Sequence, residues 1–249
     1  SRHSQPPRPS PRPQVPRPGS SSRGIDGGAA FVHACQLLAL LAEGDGELAK
    51  VLLSAHTLDL VGGRLLYATT GGNPGFDAAA KEDLGTEWLP FATAAMALLD
   101  AAVAGEDADR LRLAEPELFQ PGWVRYERAN VTVDACVTAL KQSLHIDGGS
   151  MVALQLHLSG LRTLGRIAHF SDIQAHRIMS WKALGLGADA LRLAGADREA
   201  ALVALRYLAE VAAPCPFSHR QLTACGAAEV VERTMSRYPR SEELRSQAA

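Results

Sequence analysis

Gly160-Leu161-Arg162-Thr163-Leu164-Gly165 and Ala204-Leu205-Arg206-Tyr207-Leu208-Ala209 lie 44 residues apart and keep one order of apolar and polar positions. The register extends without a gap, so that segment 160–191 lies over 204–235. Ile167 meets Val211, Ile173 meets Phe217, Ile178 meets Leu222, Ala183 meets Ala227 and Leu186 meets Val230. Apolar character is kept at helical spacing while identity is not, as expected of two copies of one packing unit. A third copy stands at the front, where Leu37-Leu38-Ala39-Leu40-Leu41-Ala42-Glu43 parallels 204–210 and leads through a turn into two further helices. The middle copy, around Trp88 to Ile146, is blurred by insertions.

Composition supports the same class. Of 249 residues, 42 are Ala and 34 are Leu, whereas aromatics are 5%, so the residues that favour strands are scarce. No apolar–polar alternation persists long enough for a strand, and an all-α chain is expected. Helices are expected from Gly27 to Ala42, at 47–55, 58–70, 87–104, 131–146, 150–169, 171–183, 185–193, 197–212, 217–225 and 227–238. Residues 241–249 read as the opening of another long helix, truncated at its C-terminal end. Two insertions, at about 71–86 and 106–130, interrupt the period. Phe119, Trp123 and Tyr126 in the second, with Trp88 beside the first, are expected to plug gaps between irregular repeats rather than to dock a partner.

The first 24 residues differ in kind. They hold seven of the fourteen prolines, five arginines and no acid, so a disordered or extended Pro/Arg-rich tail at 1–24 is expected to precede a helical domain at 27–249. With a net charge of −2 for the whole chain, the part after the tail carries −7. That balance disfavours nucleic acid as a partner, the arginine tail being its remaining route. No stretch approaches the ~20 consecutive apolar residues of a membrane span. Cys35, Cys136, Cys215 and Cys225 fit no zinc spacing and are too few for a disulfide framework, so reduced, buried thiols are expected. They favour an intracellular, cytoplasmic chain, and the Arg/Ser-rich N-terminus leaves organellar import open. The start at Ser1 and the end inside a helical segment suggest a fragment or processed chain.

The alternation of two shorter helices, a small residue at their junction and a longer helix with an Ala-Leu-x-x-Leu-Ala core resembles armadillo repeats. Thr223-Ala224-Cys225-Gly226-Ala227-Ala228-Glu229-Val230-Val231 is similar to the family's junction, with Gly226 at the sharp turn. The resemblance implies a right-handed α-solenoid of about four three-helix repeats over residues 27–249, irregular in the middle. HEAT-type repeats are the nearest competitor. Peptide-binding members of the armadillo family grip an extended ligand through an asparagine in the third helix. Leu40, Thr163 and Tyr207 occupy that register here, and none offers both an amide donor and an acceptor, so an importin-like peptide clamp is not expected.

Motifs of chemistry are weak. His169, Asp172 and His176 straddle a helix junction and are assigned to caps and surface contacts rather than to a metal. Gly185-Leu186-Gly187-Ala188-Asp189-Ala190 has the outline of a dinucleotide fingerprint without the strand that must precede it. No cofactor, small-molecule substrate or enzymatic activity is therefore expected. What remains is surface. In a solenoid of this kind the third helices line the concave face and repeat equivalent side chains in a ladder. The candidate partner-binding residues are Gln155, Ser159, Arg162, Thr163, Arg166, Glu199, Val203, Arg206, Tyr207 and Glu210. Arginine and tyrosine suit an acidic, partly apolar protein segment. The expected function is a protein-binding scaffold, and the alternative is a structural subunit built permanently into a large assembly.

Overall fold

The computed structural model of the chain describes residues 23–54, 57–70, 88–104, 123–144, 151–195 and 197–248. The expected tail (up to residue 22), the first insertion and most of the second fall outside the described residues. Within them the all-α expectation holds, with twelve helices and no strand. They are α1 (Arg23–Gly44), α2 (Gly46–Ser54), α3 (Thr57–Thr70), α4 (Trp88–Val103), α5 (Trp123–Ser143) and α6 (Met151–Phe170). After them come α7 (Asp172–Ser180), α8 (Leu184–Ala194), α9 (Arg198–Ala212), α10 (Ser218–Ala224), α11 (Ala227–Arg237) and α12 (Glu242–Ala248). None of the described helices is long and apolar enough to cross a membrane.

Local chemistry sets the boundaries. Asp45 ends the first run, and its Oδ1 accepts the amides of Glu47 at 2.9 Å and Leu48 at 3.3 Å, opening α2. Asp197 does the same for α9, taking the amides of Glu199 at 2.9 Å and Ala200 at 3.1 Å. Ser171 caps α7 through its hydroxyl, with Asp172 in the first turn where a negative charge meets the positive end of the helix. Two boundaries differ from the sequence reading by more than three residues. Helix α1 begins at Arg23, inside the segment read as tail. Helix α5 begins at Trp123, eight residues before the expected Val131. Helix α5 is weakly apolar over its first turns, so periodicity alone did not register them.

Packing runs along the chain. Helices α1, α4, α6, α9 and α12 each lie against the next in that order. Helix α3 packs on α4 and α5, α5 on α6 and α7, and α8 on α6, α9 and α11. Alanine makes close approach possible, and α4 buries Ala92, Ala94, Ala95, Ala101 and Ala102 beside Met96, Leu98 and Leu99. Glycine does so at two sharper points. A Cβ on Gly160 would lie 2.8 Å from Leu140 Cδ2, and one on Gly187 would lie 2.7 Å from Leu208 Cγ and 3.0 Å from Tyr207 Cδ1. The dinucleotide-like glycines thus belong to a helix–helix contact. Between α5 and α7 a polar tie replaces apolar packing. Asp134 accepts two bonds from Arg177, at 3.0 and 2.6 Å, and a third from Trp181 Nε1 at 2.7 Å.

The repeat reappears in the turns, with corresponding helix starts 43 to 46 residues apart. Helices α7 and α10 start at 172 and 218, α8 and α11 at 184 and 227, and α9 and α12 at 198 and 242. Gly226 sits at the α10–α11 junction with φ +67°, and its register mate Lys182 has φ +53° at the α7–α8 junction. Two copies therefore demand the same left-handed backbone, and only one has the residue that adopts it without strain. Lys182→Gly is expected to stabilise the chain by about 0.5–1 kcal/mol, roughly 1–4 °C in Tm, in thermal unfolding followed by circular dichroism. Gly226→Ala should move Tm the other way. A Lys182→Gly variant that melts below wild type would show that the lysine's contacts outweigh its backbone strain.

Candidate functional site

Residues three and four apart share a helix face, so Arg162, Arg166 and His169 form one stripe along α6 and Val203, Arg206 and Glu210 another along α9. The two stripes border a groove in two adjoining sections that share Gly165, Arg166 and Arg206. The inner section, about 220 Å³, has Leu161, Leu202 and Val203 among its lining, with Glu243 and Gln247 of α12 closing one side. The outer section, about 380 Å³, reaches Ala104 at the end of α4, with His169, Phe170 and Glu210 around it. Gly165 lies in the floor, where a Cβ would make ordinary contact with Tyr207 Cα at 3.5 Å.

One carboxylate organises the arginines from behind. Asp100 on α4 receives Arg166 Nη1 at 2.9 Å and lies 3.5 Å from Arg162 Nη1, and Arg166 Nη1 also donates to the Asp100 carbonyl at 3.1 Å. The Asp100 side chain is 14% exposed. Burial pushes its carboxyl up to about 6; Arg166 and Arg162 pull it down, and Glu43 adds a smaller upward push. Arg162 also donates to Glu199 at 2.9 Å. At the outer end Glu210 holds His169 Nδ1 at 2.7 Å and stands 3.8 Å from Arg206 Nε. Near the inner end, Glu243 takes Arg198 at 2.6 Å. These pairs are partly exposed and set geometry more than stability.

Of the ten residues named from sequence, Arg162, Arg166, Val203, Arg206, Tyr207 and Glu210 line the groove. Gln155, Ser159 and Glu199 do not, although Glu199 reaches it through Arg162. Thr163 and Tyr207 require correction as surface anchors, being 0% and 1% exposed. Thr163 Oγ1 donates to Ser159 O within its own helix at 2.9 Å. Tyr207 turns inward, and its hydroxyl donates to Ala183 O at 2.9 Å. Its contribution to the groove is an edge of the floor. Asp100 escaped the sequence reading, although it is the one charged residue in the apolar helix α4, and that isolation was a signal.

Elsewhere the polar clusters stay apart. His169 goes to Glu210, whereas His176 Nδ1 lies 3.4 Å from Cys215 Sγ. Among the described residues no group of three or more His, Cys, Asp or Glu side chains is arranged to hold a metal ion. The four cysteines are free thiols, three of them buried. Burial pushes Cys35 up to about 11 and Cys136 up to about 12, and it raises Cys215 as well, which keeps all three protonated and poor nucleophiles. His157 is 1% exposed, and its Nε2 lies 2.8 Å from Ser143 Oγ. The single Ser143 hydroxyl proton goes to Leu140 O at 2.8 Å, so His157 Nε2 must donate and Nδ1 is left as a buried lone pair without a partner among the described residues. Compared with protein-family models, curated proteins and solved structures, the chain matches none of them.

Proposed function

We propose that the chain is an armadillo-like α-solenoid of three-helix units acting as a non-enzymatic scaffold, which binds another protein along the groove between α6 and α9. The observation that carries this reading is the groove itself. It joins an apolar floor at Leu202 and Val203 to a rim of arginines held in place by Asp100. The consecutive row α1, α4, α6, α9, α12 supports the solenoid, since third helices of successive units stack in that manner. An arginine held by a fixed carboxylate is also preorganised, so less side-chain freedom is lost when a partner docks.

Photo-crosslinking tests it. A benzophenone amino acid at Val203 is expected to capture a defined partner from native extract, whereas the same group at exposed Glu232 on α11 should not. Arg162→Glu/Arg206→Glu should abolish the Val203 adduct while leaving the helical circular-dichroism signal. Equal capture at both positions would remove the groove from consideration.

A second reading, a subunit built permanently into a larger assembly, rests on α1 to α3. Leu37, Leu40, Leu41, Leu60 and Tyr67 are between 48% and 68% exposed there. Large apolar side chains in such number are more typical of an interface than of free surface. A companion that copurifies stoichiometrically and survives the groove substitutions would favour it.

A further inference from the structure

We infer that the groove takes a peptide segment carrying an acidic side chain beside an apolar one, with the carboxylate received by Arg206 and the apolar side chain lying over Leu202 and Val203. The inference rests on the groove being a docking site and adds the chemistry of what docks.

Charge decides it. Three arginines line the groove against two carboxylates, Glu210 and Glu243. Glu243 is already bound to Arg198 at 2.6 Å, and Glu210 is drawn to His169 at 2.7 Å. Arg162 and Arg166 are anchored from behind by Asp100. Arg206 differs. Its side chain is 64% exposed, its nearest carboxylate stands 3.8 Å away, and among the described residues it makes no hydrogen bond. A guanidinium has five N–H donors in a fixed fork, and a carboxylate is the side-chain group that satisfies two of them at once. Arg166, whose hydrogen bonds among the described residues all leave from Nη1, has its other donors beside the same opening. The apolar requirement comes from the half-buried Leu202 and Val203, which an acidic side chain alone would leave wet.

The test uses a fluorescein-labelled peptide of alternating leucine and glutamate and its glutamine counterpart, read by fluorescence anisotropy against the full chain. The glutamate peptide should bind, and the glutamine peptide should bind at least ~10-fold more weakly, since a charge-assisted pair is lost. Arg206→Glu should weaken the glutamate peptide by a similar factor, with Arg206→Lys between, because lysine keeps the charge and loses the fork. Arg233→Glu, a comparably exposed arginine on α11, should leave binding unchanged. Equal binding of the two peptides, abolished by Val203→Asp, would overturn the carboxylate inference and leave the docking site standing. Failure of both peptides to bind or to perturb the groove amides in NMR spectra would overturn both. A loss in Arg233→Glu as large as in Arg206→Glu would reduce the effect to net charge and overturn the assignment of Arg206.

Discussion

Tyr207→Ala is expected to destabilise the chain by about 3–5 kcal/mol, a large part of the ~5–15 kcal/mol that holds a typical domain folded. Among the described residues Tyr207 is the largest fully buried side chain. Gly187 lets α8 approach its ring, where a Cβ would lie 3.0 Å from Cδ1, and Gly165 of α6 faces its Cα. Removing the ring leaves a cavity between three helices that the two glycines cannot fill. Tyr207→Phe isolates the hydroxyl. The Ala183 carbonyl would lose the tyrosine but keep the Leu186 amide at 3.0 Å, so a cost of only about 0.5–1.5 kcal/mol is expected. Urea unfolding followed at a helical wavelength separates the two, the alanine variant losing several times more than the phenylalanine. A Tyr207→Ala variant within about 1 kcal/mol of wild type would show that the helices close over the gap. Partner binding supplies a second readout. Because the hydroxyl points away from solvent, Tyr207→Phe should bind whatever the wild type binds.

That tyrosine also marks where the sequence stopped being informative. Alignment at 44 residues correctly pairs Thr163 with Tyr207 and Arg162 with Arg206, and the structure treats each pair alike: the first buried, the second at the groove. What alignment cannot give is absolute phase. Neighbouring helical positions differ by about 100° around the axis, so a ladder read one residue off points into the core. An exposed Tyr207 was inferred from its type, since tyrosine is a frequent interface anchor, yet its hydroxyl finds a carbonyl in the turn before α8, a partner 24 residues away. The same limit hid Asp100, whose partners are 62 and 66 residues distant. The junction at Gly226 and the helix start at Asp172 were readable because such signals are local, acting within a few residues of themselves. Lys182 was not readable, because nothing in its side chain announces a left-handed backbone. Only the equivalence with Gly226 does.

Two buried groups on α4 and α6 should give the chain opposing responses to acid, which single substitutions will separate. His157 is held down at about 4 from 6.5, chiefly because it is buried, and geometry gives the reason: a proton on Nδ1 would place an N–H in the core with no acceptor among the described residues. Between pH 6.5 and about 4 the unfolded chain therefore binds a proton that the folded chain refuses, and stability falls with acidification by about 3 kcal/mol across that window. Asp100 works the other way. Its folded value of about 6 lies above 3.8, so between those limits the folded chain binds the extra proton, and acidification adds stability by a comparable amount. In wild type the two contributions nearly cancel between pH 6 and 4. Asp100→Asn should uncover the histidine and become progressively less stable relative to wild type as pH falls. His157→Gln should uncover the aspartate and gain relative to wild type over the same range. The quantity compared is the change with pH of each variant's unfolding free energy, from urea titrations at pH 7, 5.5 and 4.5, so a constant cost of either substitution drops out. Parallel curves for all three proteins would mean that Asp100 is ionised throughout, its arginines outweighing burial, and that His157 finds an acceptor when protonated. A slope shared by wild type and Asp100→Asn and missing from His157→Gln would confine the error to the carboxylate. In that case the two arginines of α6 would keep a fully charged anchor at every pH at which the groove is occupied.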